Sequence, residues 1–381
     1  MKPDINWLPA VLCLFFLSLH ADAQNAFPVE AARLSHVMHD GDFESVIAQT
    51  TEIMGRSGTL DVTLTYLRGK AEWNLCWFGA AYNDLKPLGD FRPQPTWQTA
   101  SEIVEKIELM RSLAPSNVAE IREGDRVQFR VYYDEDTEWT KGIRKLLPQA
   151  FKINSQLFGV KIYEIPVFIF NDTATFEKFR RARFSNYLGE WAWACASDGI
   201  LLFCRTDAKG KVRAEDPESD YFKSTVVHEH AHSVFHRVVF NTKPIPRWLD
   251  EGIAEFAGSR IAPKDIERND QILKRCFEQD TLLPLKDLTD SPAFTTIVEK
   301  ETVKRDAMKS AYSGTDAYQQ AMHMVRYLLL NTKEEDRLRF LHAYHERSDM
   351  DQAFEEAFGL SLIAFYNAWK TESAKGLSMQ K

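Results

Sequence analysis

Apolar positions recur at helical spacing through the first part of the chain, from about residue 28 to residue 116. The pattern breaks at Asp40-Gly41-Asp42 and again at Cys76-Trp77, so it predicts two pairs of helices. A further helix is predicted over residues 96–115. This part of the chain is therefore expected to form an all-helical module.

The two predicted helix pairs are related by a regular offset along the chain. Phe43 and Phe78 follow the two breaks and lie 35 residues apart. A helix-turn-helix unit that recurs at about 34 residues resembles a tetratricopeptide-type repeat. The resemblance implies a surface for a protein partner or for a neighbouring domain. An ordinary helical subdomain is the alternative interpretation of the same pattern.

Strands and helices alternate in the next part of the chain, which begins near Gly124. Short β-rich segments predict three strands, over Arg126–Tyr133, Ile165–Phe170 and residues 199–204. An amphipathic pattern predicts a helix over Trp139–Phe158, and a second helix follows the middle strand. This alternation predicts an α+β fold with a small mixed sheet.

Helical patterns return after residue 219 and continue to the end of the chain. They predict that the C-terminal part packs as helices beside the sheet and completes a cleft. The predicted organisation is a signal segment over residues 1–23, the helical module over 24–120, the α+β domain over 121–265 and a helical C-terminal subdomain over 266–381.

The first residues have the features of a secretory signal. Lys2 precedes an apolar run of about 13 residues that ends at Leu19, which is too short to cross a bilayer comfortably. Ala21 and Ala23 occupy the positions that a signal peptidase reads, so Gln24 is the expected first residue after cleavage. The protein is then expected in a periplasm or outside the cell. An uncleaved membrane anchor is the alternative, and no other segment is long and apolar enough to span a membrane.

Charge and cysteine content narrow the choice of partner and site. The 381-residue chain has a formal net charge of −8 with the two signs interspersed, so it lacks the basic face of a nucleic-acid-binding protein. The four cysteines after the signal segment allow three pairings, and they are too scattered for a zinc cluster. A local disulfide between Cys195 and Cys204 and a set of buried thiols are both compatible with the sequence. The four are Cys76, Cys195, Cys204 and Cys276.

The clearest chemical motif is H-E-x-x-H, within His228-Glu229-His230-Ala231-His232. On a helix, residues i and i+4 share a face, so the imidazoles of His228 and His232 can bind one zinc ion from successive turns. Glu229 can then reach a water molecule as general base, whereas His230 points away from this face. The motif alone also fits a solvated helix face, but the apolar residues around it indicate a buried helix.

A zinc site of this kind needs a third ligand beyond the motif. His236 is not expected to supply it, because Phe235 and Val238 stand where the metzincin pattern requires glycine and histidine. We expect His236 to be a bystander, beside the ligands or at the surface. Glu251, within the segment WLDEG, follows His232 after 18 intervening residues.

This spacing and the W-L-x-E-G segment resemble those of the gluzincin zinc peptidases, and residues 219–260 as a whole resemble the peptidase MA-like family. The resemblance implies a zincin-like catalytic domain with one zinc ion, bound by His228, His232 and Glu251. It also implies an exported zinc-dependent metallopeptidase that hydrolyses peptide bonds, with Glu229 as the catalytic base. One alternative is a catalytically inactive, gluzincin-like interaction protein; another is a scaffold in which the motif is coincidental.

Two further acids belong to the segment that contains Glu251. Glu255 lies one helical turn later, and by similarity to zinc peptidases its carboxylate is expected to orient the ring of His228. Asp250 is expected to be an N-cap or first-turn acid, where the helix dipole favours negative charge.

The resemblance also implies an oxyanion donor and an edge strand that binds an extended peptide or protein substrate. Tyr318 is our first choice for the donor, ahead of Tyr312 and His323. The segment WAWACASDGILLFC is expected to supply the edge, where Trp191 and Trp193 either line a groove or pack in the core. The chain has no G-x-M-E-N stretch, so the resemblance does not extend to aminopeptidase specificity. An endopeptidase and a narrow-specificity peptidase both remain open.

Overall fold

The structure is a computed structural model, and contacts divide the chain into two compact units, one ending at Leu113 and the other beginning at Ala114. It describes residues 27–58, 60–184, 193–207, 209–212, 216–240, 245–290, 292–298, 300 and 316–378. The predicted signal segment lies outside these ranges, and its cleavage stays a prediction. Within them, we find no helix with the length and apolar character needed to cross a lipid bilayer.

The described part of the N-terminal unit consists of helices. These are α1 (Pro28–His39), α2 (Phe43–Ser57), α3 (Val62–Asn74), α4 (Phe78–Leu85) and α5 (Ala100–Leu113), with a 3-10 turn at Lys86–Leu88. Phe43 and Phe78 are the first residues of α2 and α4, and both rings are buried. Asp42 and Asp61 cap α2 and α3 with their carboxylates. The helix pairs therefore lie where the sequence predicted them, while their kinship to tetratricopeptide repeats stays a prediction.

A five-stranded mixed sheet opens the second unit, in the spatial order β1-β2-β3-β5-β4. Strands β2, β3 and β5 run parallel, and β1 and β4 are antiparallel edge strands. The predicted α+β fold is confirmed, and β2 and β3 have the predicted bounds. Strand β1 was not predicted, because five of its seven residues are exposed and it has no apolar alternation. The strands are β1 (Asn117–Glu123), β2 (Arg126–Tyr133), β3 (Ile165–Phe170), β4 (Ala194–Ser197) and β5 (Ile200–Cys204).

Helices pack on both faces of the sheet. Phe151 of the helix α6 lies edge-to-face on Phe129 of β2, with ring centroids 6.1 Å apart. On the other face, Phe179 of α7 contacts Phe168 of β3, with centroids 4.5 Å apart. Strand β3 is therefore buried along its whole length, as expected for a central parallel strand. The helices here are α6 (Glu138–Phe158), α7 (Thr173–Arg183) and α8 (Asp220–Val238).

The C-terminal part is helical, as predicted from the return of helical patterns. Residues 292–298 are also helical. The named helices are α9 (Arg247–Ser259), α10 (Lys264–Glu278), α11 (Leu285–Thr289), α12 (Asp316–Asn331), α13 (Glu334–Arg347), α14 (Met350–Phe358) and α15 (Leu362–Ser378). Large apolar side chains of α12 to α15 join the same hydrophobic core as the sheet and α6, α8 and α9.

The cysteines of the described structure are all buried thiols. Cys195 on β4 pairs in register with Leu202, and Cys204 ends the neighbouring strand beside Thr206. Of the two alternatives for these cysteines, the structure therefore has thiols and no local disulfide. Burial raises the pKa of the Cys195 thiol, so it stays protonated at neutral pH and is a weak nucleophile.

Two glycines let α9 approach its neighbouring helices closely. A Cβ atom on Gly252 would lie 2.5 Å from the backbone oxygen of Ala321 on α12. A Cβ atom on Gly258 would lie 2.6 Å from Oγ of Ser224 on α8. A methyl group at Gly252 would collide with backbone, and one at Gly258 would require Ser224 to shift, so the absence of Cβ atoms allows α9 to lie this close to α8 and α12.

Gly252→Ala is expected to lower the free energy of unfolding by about 1–3 kcal/mol, because the new methyl group would overpack the α9–α12 contact. Gly55→Ala is the control: Gly55 is within helix α2, and a Cβ atom added there would have no neighbouring atom within 4 Å. That control should be neutral or stabilising by about 0.5–1 kcal/mol. Urea unfolding of the full chain measures both variants, and wild-type stability of Gly252→Ala would contradict the packing argument.

Candidate metal centre

Helix α8 presents the H-E-x-x-H motif inside the protein. Ser219 caps its first turn by accepting a hydrogen bond from the backbone N–H of Phe222, at 3.2 Å. The apolar residues on both sides of the motif are buried, as the sequence indicated; they are Val226, Val227, Val234 and Phe235. Glu229 and His232 are buried as well, and His228 keeps 16% of its side chain exposed. The motif is therefore not a solvated helix face.

Three donor atoms of α8 and α9 converge on one point. Nε2 of His228 lies 3.1 Å from Nε2 of His232. Oε2 of Glu251 lies 3.5 Å from the first of these nitrogens and 3.2 Å from the second. The helix from Arg247 to Ser259 supplies Glu251 one turn from its start, as the 18-residue spacing predicted.

The separations of these donor atoms fit a tetrahedral zinc ion. Bonds of about 2.0–2.1 Å in a tetrahedron keep two donor atoms about 3.3 Å apart. The three observed distances of 3.1, 3.2 and 3.5 Å bracket that value. Two imidazoles and one carboxylate also form a donor set typical of catalytic zinc. The residues present therefore fit the metal that the motif implies, while their role as ligands stays a prediction.

The outer nitrogens of both histidines face carboxylates. Nδ1 of His232 lies 2.5 Å from Oδ1 of Asp250, and Nδ1 of His228 lies 3.4 Å from Oε1 of Glu255. A carboxylate can only accept, so this arrangement favours a proton on each Nδ1. The two Nε2 atoms then point lone pairs at the same spot, as expected of two ligands to one metal ion.

The electrostatics of the cluster also favour a positive charge at this point. Burial by itself lowers the pKa of His232, but the charges of Asp250 and Glu251 raise it well above its usual value. Burial raises the pKa of Glu251, yet the charges of Arg247 and His232 bring it below its usual range. The carboxylates are thus ionised and stabilise a proton or a metal ion held by the histidines.

Glu229 lies beside this cluster in a buried position. Burial raises the pKa of its carboxyl group, and the two neighbouring histidines, His228 and His232, oppose that shift. A raised pKa makes the carboxylate a better proton acceptor at neutral pH. Its position next to the donors agrees with the predicted general base, a role that stays a prediction.

Arg247 and Asp250 are parts of the site that sequence reasoning missed. Asp250 is in the first turn of α9, as expected, but Pro246 is the N-cap and the Asp250 carboxylate is turned towards His232. Arg247 donates hydrogen bonds to Asp250, at 3.1 Å, and to Glu251. The spacing of these residues could have predicted the contacts, because a side chain at position i of a helix can reach positions i+3 and i+4. Asp250 and Glu251 stand at those two positions relative to Arg247.

The two remaining histidines of the motif region differ from each other. His230 is fully buried away from the donors, where its Nδ1 lies 2.8 Å from Nδ2 of Asn154 and burial lowers its pKa to about 3. It is a core residue, and it points away from the metal-binding face as its position on the helix predicted. His236 lies beside the ligands, which is one of the two positions expected for it, since its Nε2 lies 3.1 Å from Oδ1 of Asp250. One helical turn beyond His232, it reaches the same carboxylate.

Of the two predicted oxyanion donors that the structure describes, Tyr318 is the one whose pKa is affected by charges of the cluster. It is half-buried near the start of α12, and its ring lies edge-to-face on Phe294, with centroids 5.5 Å apart. Burial, followed by the charge of Glu251, raises its pKa well above the usual value. Tyr312 lies outside the described residues. His323, on another face of α12, accepts a hydrogen bond from Trp369 at 2.9 Å.

Strand β4 is an edge strand and packs against the motif helix α8. Trp193, just before β4, is buried against Trp139 and Phe222, so it belongs to the core. Of the two alternatives for this tryptophan, the structure therefore supports core packing. Trp191 lies outside the described residues.

The part of the chain that contains this cluster matches a known protein family. Residues 212–374 match the family model described as Peptidase MA superfamily. The matched range includes α8 and α9, which carry all the donors, and most of the helices that follow. Searches of curated proteins and of solved structures found no match.

The buried imidazole of His323 is expected to make stability depend on pH. Burial lowers its pKa to about 4, whereas an unfolded histidine titrates near 6.5. As pH falls through this window the unfolded state binds the proton first, so the free energy of unfolding should drop by up to about 3 kcal/mol. His323→Gln should reduce that drop in urea unfolding between pH 7 and pH 4. His342→Gln, an exposed position on α13, is the control, and equal pH dependence of both variants would contradict the assignment.

Proposed function

Because the chain carries a Peptidase MA superfamily domain over residues 212–374, we propose that it is a zinc-dependent metallopeptidase of the gluzincin type, which hydrolyses peptide bonds. The observation that carries this proposal is the convergence of His228, His232 and Glu251 at tetrahedral donor distances. One zinc ion per chain is the proposed cofactor. Three protein ligands leave a fourth position, which is typical of catalytic zinc and not of structural zinc.

The proposed chemistry divides between the metal and the protein. A zinc ion at this point would polarise the scissile carbonyl and lower the pKa of a water molecule to about 7. The Glu229 carboxylate accepts a proton from the attacking water and passes it to the amine that leaves. The raised pKa of Glu229 suits both steps, because a group that titrates nearer to neutral pH can accept and return the proton.

Tyr318 is proposed to stabilise the oxyanion with its phenol O–H. Its raised pKa keeps the phenol protonated and therefore a donor at neutral pH. The contact of its ring with Phe294 limits the positions that the hydroxyl group can take. Glu255, at 3.4 Å from Nδ1 of His228, is proposed to orient that imidazole.

The proposed substrate is an extended peptide or protein segment. Strand β4 is an edge strand of the sheet in the described part of the chain and lies beside α8, so we expect a substrate to add there as a further strand, with main-chain hydrogen bonds. The helical N-terminal unit is proposed to contact a protein partner, on the strength of its repeat-like helix pairs alone. The signal-like first residues support export, to a periplasm or out of the cell.

The general-base and ligand roles are tested by two substitutions. Glu229→Ala should keep one zinc ion per chain and lose peptide cleavage, because the general base is removed while the ligands remain. Glu251→Ala should lose zinc, because only two ligands are left. Metal analysis and cleavage of a peptide library measure the two effects, with the exposed Glu346→Ala as a matched control.

The outcomes of this experiment distinguish the proposed functions. Stoichiometric zinc with equal cleavage by wild type and Glu229→Ala would overturn the peptidase proposal and favour a metal-binding interaction protein. Absence of zinc from the wild-type protein would overturn the metal site itself. Loss of zinc in Glu229→Ala but not in Glu251→Ala would reverse the assigned roles.

The oxyanion role predicts a specific kinetic defect. Tyr318→Phe should lower kcat by about 10²–10³-fold with zinc content and KM nearly unchanged, because the lost hydroxyl acts only in the transition state. Tyr327→Phe is the control, since Tyr327 lies on the same helix and packs its ring on Phe365, 5.7 Å between centroids. Steady-state kinetics measure both variants, and an unchanged kcat in Tyr318→Phe would remove this residue from the mechanism.

A further inference from the structure

We propose that Arg247 is a positioning residue that controls zinc affinity and coordination, because it binds one oxygen of Asp250 and one oxygen of Glu251 at the same time. This inference rests on the proposed zinc site. It concerns the guanidinium group at the start of α9, which does not belong to the H-E-x-x-H motif and does not reach the convergence point itself. Arg247 acts through its two partners.

The first observation is that the two oxygens of each carboxylate have different partners. Arg247 Nη2 donates to Oε1 of Glu251, and the other oxygen, Oε2, faces the two histidine Nε2 atoms. Arg247 Nη1 donates to Oδ2 of Asp250, and the other oxygen, Oδ1, faces Nδ1 of His232. The guanidinium group thus occupies the outer oxygen of each carboxylate and leaves the inner oxygen to the site.

The consequence for Glu251 is a single-oxygen presentation to the metal. A glutamate whose two oxygens are both available can rotate and bind a cation through both of them. The hydrogen bond from Arg247 opposes this rotation, because turning Oε1 inwards would break a charge-assisted bond between buried groups. Arg247 therefore favours a four-coordinate site with one oxygen from Glu251.

The consequence for His232 is indirect. Asp250 accepts from His232 at 2.5 Å and from Arg247 at 3.1 Å, so its carboxylate is held between the two. A fixed carboxylate on Nδ1 orients the imidazole and raises its basicity towards a metal on Nε2. One arginine therefore supports two of the three proposed ligands.

The limited exposure of Arg247 argues against a role as a surface charge that serves only solubility. Its side chain is 25% exposed, and the two carboxylates are 3% and 5% exposed. Its Nε atom is buried and has no hydrogen-bond partner among the described residues. An arginine that served only for solubility would keep this donor in water, whereas here an unsatisfied N–H is tolerated so that both Nη groups meet the carboxylates.

The planar fork of arginine is essential to this role. Two separate N–H donors at a fixed angle can meet carboxylates on two consecutive residues, whereas a lysine ammonium is one compact charge on a flexible stem. Arg247→Lys therefore keeps the positive charge and removes the double contact. This substitution separates positioning from simple charge compensation.

The test measures metal binding by the full chain, independently of turnover. In competition with a chromophoric chelator, Arg247→Lys should raise the Kd for zinc by about 10–100-fold. The cobalt(II)-substituted variant should also absorb more weakly in the visible range than cobalt(II)-substituted wild type, because a second Glu251 oxygen raises the coordination number. Arg326→Lys is the matched control: Arg326 donates to Asp270 at 2.9 Å on the other side of α12, and its zinc Kd and cobalt spectrum should not change.

The outcomes separate this inference from the proposed function. A wild-type protein that binds no zinc would refute the proposed function. A wild-type protein that binds zinc, with the same Kd and cobalt spectrum in Arg247→Lys, would overturn the role of Arg247 alone. If Arg247→Lys does not fold, Asp250→Asn tests the contact between Arg247 and Asp250 with a side chain of nearly the same volume. It should raise the zinc Kd while the cobalt spectrum stays like that of wild type, and an unchanged Kd would overturn the inference.

Discussion

Two consecutive carboxylates, Asp250 and Glu251, are buried on one helix, and this constraint shapes the rest of the site. A buried charge without a partner costs several kcal/mol, and two adjacent negative charges also repel each other. The protein compensates them from two sides, with Arg247 on the outer oxygens and the histidines on the inner ones. The two histidine Nε2 atoms in turn favour a proton or a cation between them. Charge balance therefore links the arginine, the acids, the imidazoles and the proposed metal.

This balance depends on the close packing of α9. The two glycines Gly252 and Gly258 bring the helix within contact of the backbone of α12 and the serine of α8. Because α8 carries His228 and His232, the distance between α8 and α9 determines how close the imidazoles lie to the carboxylates. The sheet fixes α8 in turn, through the aromatic core that includes Phe129 and Trp193. Donor geometry is thus set by regular elements and not by loops, as a precise site requires.

The sequence predicted those features that depend on periodicity and spacing. The buried strands β2 and β3 and the helix α8 have strong apolar patterns, and an i, i+4 pair on a helix must share a face. The pairing of Glu251 with the histidines came from a spacing that resembles a known family. Strand β1 was missed because it is exposed, and β4, although it lies in the segment expected to supply the edge, was given no bounds because its residues, ACAS, are small. Neither has a pattern that distinguishes a strand from a loop.

The contacts of Asp250 and His236 could not be predicted for a different reason. Neighbouring residues on a helix point about 100° apart, so Asp250 and Glu251 should face different surroundings. An imidazole, however, has nitrogens on two sides, and two side chains of a helix that passes beside it can contact both nitrogens. Glu251 meets Nε2 of His232 at 3.2 Å, and Asp250 meets Nδ1 of the same ring at 2.5 Å. Because the two side chains diverge, Asp250 and Glu251 can contact the two different nitrogens of the His232 ring.

Helix α9 contacts both nitrogens of His232 through two carboxylates, so it has little freedom to move along its own axis. Sliding α9 by one residue, about 1.5 Å, would take both carboxylates away from their nitrogens together. The glycine contacts of α9 therefore also influence the protonation of His232, because the hydrogen bond that Asp250 accepts favours a proton on Nδ1. Metal affinity in this site is accordingly a property of helix packing as much as of ligand identity, and a substitution at a helix–helix contact can alter it without touching a ligand.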